Sequence, residues 1–175
     1  YLQNHDQIGN RATGDRLTAT ISPARQACGA AIVLLGPYTP MLFMGEEWAA
    51  STPWQFFASF PDPELADAVR AGRRREFSRH GWGESEVPDP MDLATVERST
   101  LRWDEVTEPE HAELLSVYRD LIALRHTHRE FADPDLASFI VQVSDDGSRI
   151  VMHRGPFRVD VDFESESFDG RREDD

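Results

Sequence analysis

The apolar positions of this chain change period along its length, and each change marks a change of element. From Ser22 a helical spacing sets in. Ala24, Ala27, Cys28, Ala31, Ile32 and Leu35 recur every three or four residues, behind a capping hydroxyl at Ser22 and a proline at 23 and ahead of Gly36 and Pro37. This predicts a helix over 23–35. The next run, Met41, Leu42, Phe43 and Met44, is apolar on both faces and ends at Gly45, the pattern of a buried strand in a parallel sheet. Tyr1 and Leu2 read as the end of a similar strand. Strand, helix, strand gives the first third an α/β pattern.

Residues 45–63 are loop-like and crowded with Trp48, Trp54, Phe56, Phe57 and Phe60. A helix is expected after Pro63, with Leu65, Val69 and Phe77 as apolar points, and residues 78–108 are irregular. Thr107 and Glu110 have capping-box spacing, and Leu114, Tyr118, Leu121, Ile122 and Leu124 form an amphipathic stripe for a helix reaching Thr127. Beyond Pro134 the period falls to two. Phe139, Val141 and Val143 alternate, a turn at Asp145 to Gly147 follows, then Ile150 to Met152, then Phe157, Val159, Val161 and Phe163. Three antiparallel strands of a separate small β-domain are therefore expected over 135–163. Residues 164–175, SESFDGRREDD after Glu164, are too polar to pack and are expected to be disordered.

Charge narrows the partners. A formal net charge of −14 and a pI near 4.7 repel phosphate backbones and anionic lipid surfaces, which argues against nucleic acid and membranes. All 18 basic residues are arginine, but the run Arg73 to Arg75 lies on an expected helix in an acidic protein and reads as a solvated or salt-bridged face. The single cysteine, Cys28, can form no intrachain disulfide and reads as a structural thiol, so a reducing cytoplasm is the simplest compartment. The chain begins at Tyr1 and its first methionine is Met41, so it reads as a segment of a longer polypeptide.

The candidate chemistry is concentrated in QNHDQ, residues 3–7. His and Asp together suit a sugar: carboxylate oxygens accept from vicinal hydroxyls, and an imidazole donates to a neighbouring one. The bland reading is a turn or cap in which Asp6 binds backbone amides. Metal binding is disfavoured at His5 and Asp6, which are adjacent, and at His126 and His128, which do not share a helix face. The aromatic loop from Trp48 to Phe60 reads either as a sugar-stacking surface or as a local minicore. No GxSxG elbow, P-loop or dinucleotide fingerprint is present.

Taken together, YLQNHDQIGNR, ISPARQACGAAIVLLG and YTPMLFMGEEW resemble the end of the catalytic barrel in glycoside hydrolase family 13, the α-amylase family. The resemblance spans roughly residues 1–160. It implies an α/β plus β fold: strands seven and eight of a (β/α)8 TIM barrel with their helices over 1–130, then part of an antiparallel β-sandwich domain. It also implies a retaining α-glycosidase with water as acceptor and no cofactor or metal essential to the chemistry. Asp6 then matches the transition-state-stabilising third carboxylate and His5 a substrate-binding histidine, with Asn4 and Gln7 shaping the pocket. QNHDQIGNR with PMLFMGEEW, FFASF and AGRRREF resembles more narrowly those members that cleave the α-1,4 bond beside the terminal trehalose of a malto-oligosyl chain. A branching or debranching enzyme, or a non-catalytic carbohydrate-binding remnant, is the alternative. The family's nucleophile and acid/base lie on strands four and five, for which Asp15, Glu46 and Glu47 are no counterparts, so the chain alone is expected to be inactive.

Overall fold

The computed structural model of the chain describes residues 1–79, 81–83 and 87–173. They form two compact units, one made of Tyr1–Leu2, Ile21–Ala49 and the chain from Val106 onward, the other of Gln3–Thr20 and Ala50–Glu105.

The first unit is built on two long helices, a short one at Arg129–Ala132 and one sheet. Helix α2, Pro23–Leu35, follows α1, His5–Gly9, in chain order and starts as its sequence dictates: Ser22 Oγ accepts from the Arg25 amide at 3.0 Å and Pro23 occupies the first turn. Its buried face is made of small residues, Ala27, Cys28, Ala30 and Ala31, with Leu34 and Leu35 at the end. Small side chains let neighbours come close. A Cβ on Gly29 would sit 2.7 Å from Leu2 Cδ2. Against this face lies α5, Pro109–Thr127, through Leu114, Tyr118 and Leu121. The N-cap of α5 is Glu108, one residue beyond the expected Thr107. Pro109, whose fixed φ suits a first helical position, starts α5 behind Glu108, whose side chain makes no capping bond.

Four antiparallel strands in the order β1-β2-β3-β4 complete this unit: β1 Phe139–Val143, β2 Arg149–Arg154, β3 Phe157–Asp162 and β4 Ser167–Arg172. Met152, Val159 and Val161 share one core with α2 and α5, so the sheet is no separate β-domain. The fourth strand lies in the segment expected to be disordered. Main-chain pairing does not depend on side-chain polarity, and an edge position tolerates charge, so Val161 opposite Phe168 and Asp162 opposite Ser167 continue the ladder with Phe168 against the core. At the other edge, Val141 and Val143 are exposed although their alternation predicts an inward face.

Neither Tyr1 and Leu2 nor Met41 to Met44 is a strand, and Met41 and Met44 are each 44 % exposed. A barrel strand takes its ladder from neighbours on both sides, and two segments alone make a marginal pair.

The second unit holds α1 His5–Gly9, α3 Pro63–Ser78 and α4 Leu93–Arg98. Asp62 caps α3 by accepting from the Glu64 and Leu65 amides. Ala12, Phe77 and Val87 form a small core with Trp82 packed on it. Polar anchors supplement that core. Ser51 donates to Glu105, Arg16 Nε donates to the Thr52 carbonyl at 2.6 Å, and Arg70 Nε lies 2.9 and 3.0 Å from the two Asp89 oxygens.

Candidate active-site segment

The five polar residues at 3–7 divide by what they touch. Gln3 is buried, and its Oε1 accepts from the Leu17 amide at 3.2 Å. Asn4 is the N-cap of α1, in extended backbone, and its Oδ1 accepts from the Asp6 amide at 2.7 Å and the Gln7 amide at 3.4 Å. Gln7 Oε1 accepts in return from the Asn4 amide at 2.9 Å, completing a capping box. Three of the five side chains thus satisfy main-chain donors. The segment starts a short helix instead of ending a strand.

His5 and Asp6 are left facing outward. Their side chains are 64 % and 68 % exposed, with His5 Nε2 3.2 Å from Asp6 Oδ1. An acid in the first turn of a helix sits where the axial dipole favours negative charge. The His5 ring meets Trp54 edge-on with centroids 6.2 Å apart, and Trp54 in turn lies 6.1 Å from Phe57. The pair therefore presents one acceptor group and one imidazole beside aromatic rings. A sugar hydroxyl donating to the Asp6 carboxylate would leave the imidazole to serve a neighbouring hydroxyl.

The other acidic candidates are held elsewhere. Asp15 accepts from Arg11 Nε and Thr13 Oγ1, each at 2.6 Å; partial burial pushes its carboxyl up, but these bonds outweigh it and lower the pKa. Glu46 belongs to the first unit. It is 1 % exposed, with Oε2 accepting from the Phe43 amide at 2.9 Å and Oε1 from Tyr118 OH at 3.2 Å. Gln26 Nε2 donates to the Glu46 carbonyl at 2.5 Å and to Tyr118 OH at 3.3 Å. Burial pushes the Glu46 carboxyl up despite these donors, and burial followed by the nearby Glu46 charge pushes the Tyr118 hydroxyl up. Glu46 fixes a turn from inside a core, the opposite of an accessible nucleophile.

Cys28 is a free, fully buried thiol. His128 packs its ring on Phe157 at 4.6 Å, and no three His, Cys, Asp or Glu side chains among the described residues gather as a metal site. The aromatic loop is divided: Trp48 is buried in the first unit with its carbonyl 2.6 Å from His111 Nδ1, whereas Phe56, Phe57 and Phe60 in the second unit are partly exposed. The arginine run is divided as well. Arg74 and Arg75 are exposed, but the Arg73 side chain is only 14 % exposed, lies 4.7 Å from the ring centres of both Phe56 and Phe77, and donates to the Gly9 carbonyl. Nothing in the local run RRR separates the first arginine from the others; the distinction is tertiary.

No helix among the described residues is long and apolar enough to cross a membrane. No family model matches the chain. It is 48 % identical over 159 residues to a malto-oligosyltrehalose trehalohydrolase of Mycobacterium tuberculosis and 52 % identical over 161 residues to one of Arthrobacter ramosus. These alignments cover 91 % and 92 % of this chain but 27 % of each relative. A crystal structure of a Salmonella typhimurium protein described as an α-amylase superposes with a TM-score of 0.78 at 37 % identity, covering 91 % of this chain and 28 % of that one. The chain spans 27 % of the length of these malto-oligosyltrehalose trehalohydrolases and is similar to them over that stretch.

Proposed function

We propose that this segment works within a polypeptide comparable in length to its relatives, a retaining α-glycosidase that hydrolyses the α-1,4-glucosidic bond next to the terminal trehalose of malto-oligosyltrehalose and releases trehalose. The observation that carries the reading is sequence identity near one half, over nine tenths of the chain, to relatives named for that substrate. Geometry supports the roles. Asn4 and Gln7 close the helix cap on each other, while the exposed His5 and Asp6 side chains take no part in that cap.

In this reading Asp6 accepts hydrogen bonds from the hydroxyls of the glucosyl unit being cleaved, and His5 donates to the same sugar. Such bonds accelerate hydrolysis only if they strengthen as the ring distorts toward an oxocarbenium ion. The nucleophile and the acid/base are supplied by residues outside this chain. The cytoplasm is the proposed compartment, in keeping with a single cysteine that forms no disulfide.

The test is product analysis. The longer polypeptide, given malto-oligosyltrehalose, should release free trehalose, and the 175-residue chain alone should release none. Transfer to new branch points on plain maltodextrin, without trehalose from the first substrate, would replace this reading with a branching activity. Sustained trehalose release by the 175-residue chain would show that the bond-breaking groups lie within it.

A further inference from the structure

Helix α1 carries His5 and Asp6 in its first turn but is only five residues long. Five residues leave room for few main-chain bonds; at its ends the Ile8 N–H meets the Asn4 carbonyl at 3.1 Å and the Asn10 N–H the Asp6 carbonyl at 3.2 Å. So short a helix is not stable by itself in water, and its direction has to be fixed from outside. Three contacts do this. Ile8 is buried; Gly9 packs so closely on Trp54 that a Cβ there would lie 2.8 Å from Cζ3; and the Gly9 carbonyl accepts from Arg73 Nη2 at 2.6 Å.

The third contact is the directional one. The Arg73 guanidinium sits 4.7 Å from the ring centres of both Phe56 and Phe77, and its Nη1 is 3.2 Å from Glu76 Oε2. Two rings and two acceptors leave a planar group little freedom, so the donor aimed at Gly9 is itself fixed. The carbonyl it meets is one of those a helix end leaves without an internal partner, and a cation there also complements the helix dipole.

We infer that Arg73 is a positioning residue for the His5–Asp6 pair: by gripping the last turn of α1 it sets the angle at which the first turn presents both groups. Its catalytic consequence rests on the function proposed above. Lysine would keep the charge but lose the plane that stacks between the rings.

The experiment compares Arg73→Ala, Arg73→Lys and Arg74→Ala in the longer polypeptide. Trehalose release is measured alongside the His5 ring resonance in histidine-labelled protein, assigned by its loss in His5→Ala. Arg73→Ala is expected to shift that resonance and lower kcat by about tenfold or more, the scale of a small misplacement of reacting groups. KM and the melting profile should change little, and added guanidinium at low concentration should restore both signals. Arg73→Lys should recover only part of the loss, and Arg74→Ala should match wild type. If Arg73→Ala leaves the resonance and kcat at wild-type values, or lowers activity only in proportion to unfolded protein, the inference is overturned. The two readings separate cleanly. Loss of activity in Asp6→Asn with no effect of Arg73→Ala on His5 removes the clamp alone, whereas full activity in Asp6→Asn with a moved His5 resonance removes the function and leaves the clamp.

Discussion

Glu46 shows how one buried carboxyl shapes the pH response. Both of its oxygens have donors, Phe43 N–H and Tyr118 OH, yet neither is a cation, so burial dominates and the pKa rises from the ordinary value of 4.5. In the unfolded chain the group ionises at that ordinary value; in the folded chain it keeps its proton to higher pH. The folded state therefore binds more protons over this window, and stability falls as pH climbs from about 4.5 through the folded pKa. Glu46→Gln keeps an acceptor for the Phe43 amide, turns an NH2 toward Tyr118, whose hydroxyl can accept, and removes the charge. Denaturant titrations at a series of pH values should show this part of the decline lost in the variant, with stability at neutral pH equal to or above wild type. An unchanged slope would mean that Glu46 ionises in the fold as it does in the unfolded chain.

Elements in this chain are joined at their ends as much as along their faces. Arg125 of α5 donates through Nη1 to the Leu34 and Gly36 carbonyls, both at 2.8 Å, and through Nη2 to the Tyr38 carbonyl at 3.1 Å. These are carbonyls at and beyond the end of α2, where helix geometry provides no internal donor. Arg125→Ala should cost about 1–3 kcal/mol, the range for leaving buried acceptors unmet, measured as a shift in the denaturation midpoint. An effect below a few tenths would show that solvent replaces the guanidinium. Helix α2 itself was legible from end to end, because Ser22, Pro23 and Gly36 are local signals that act through the backbone. β4 was not: its pairing partner is β3, and only Phe168 among its side chains hints at burial.

At the scale of the molecule, the order of helices followed by antiparallel strands could be read from sequence, but the strand–helix–strand start was a misreading and the grouping into units was not legible. Period two announced β1 to β3 without saying that Met152, Val159 and Val161 would share a core with α2 and α5. The apolar run Met41 to Met44 looked like a barrel strand because hydrophobicity reports a need for burial, not the presence of a neighbour to pair with. For the candidate site, residue types and the family resemblance nominate His5 and Asp6, while the duty of Asn4 and Gln7 in the cap and the grip of Arg73 on Gly9 emerge only from geometry. The central claim is that Asp6 contacts the sugar as its bond breaks. It is tested most directly by kcat for trehalose release from malto-oligosyltrehalose by the longer polypeptide carrying Asp6→Asn. The account predicts a fall of about 10²–10³-fold, the scale for removing one preorganised charge-stabilising group. A kcat within twofold of wild type would contradict it.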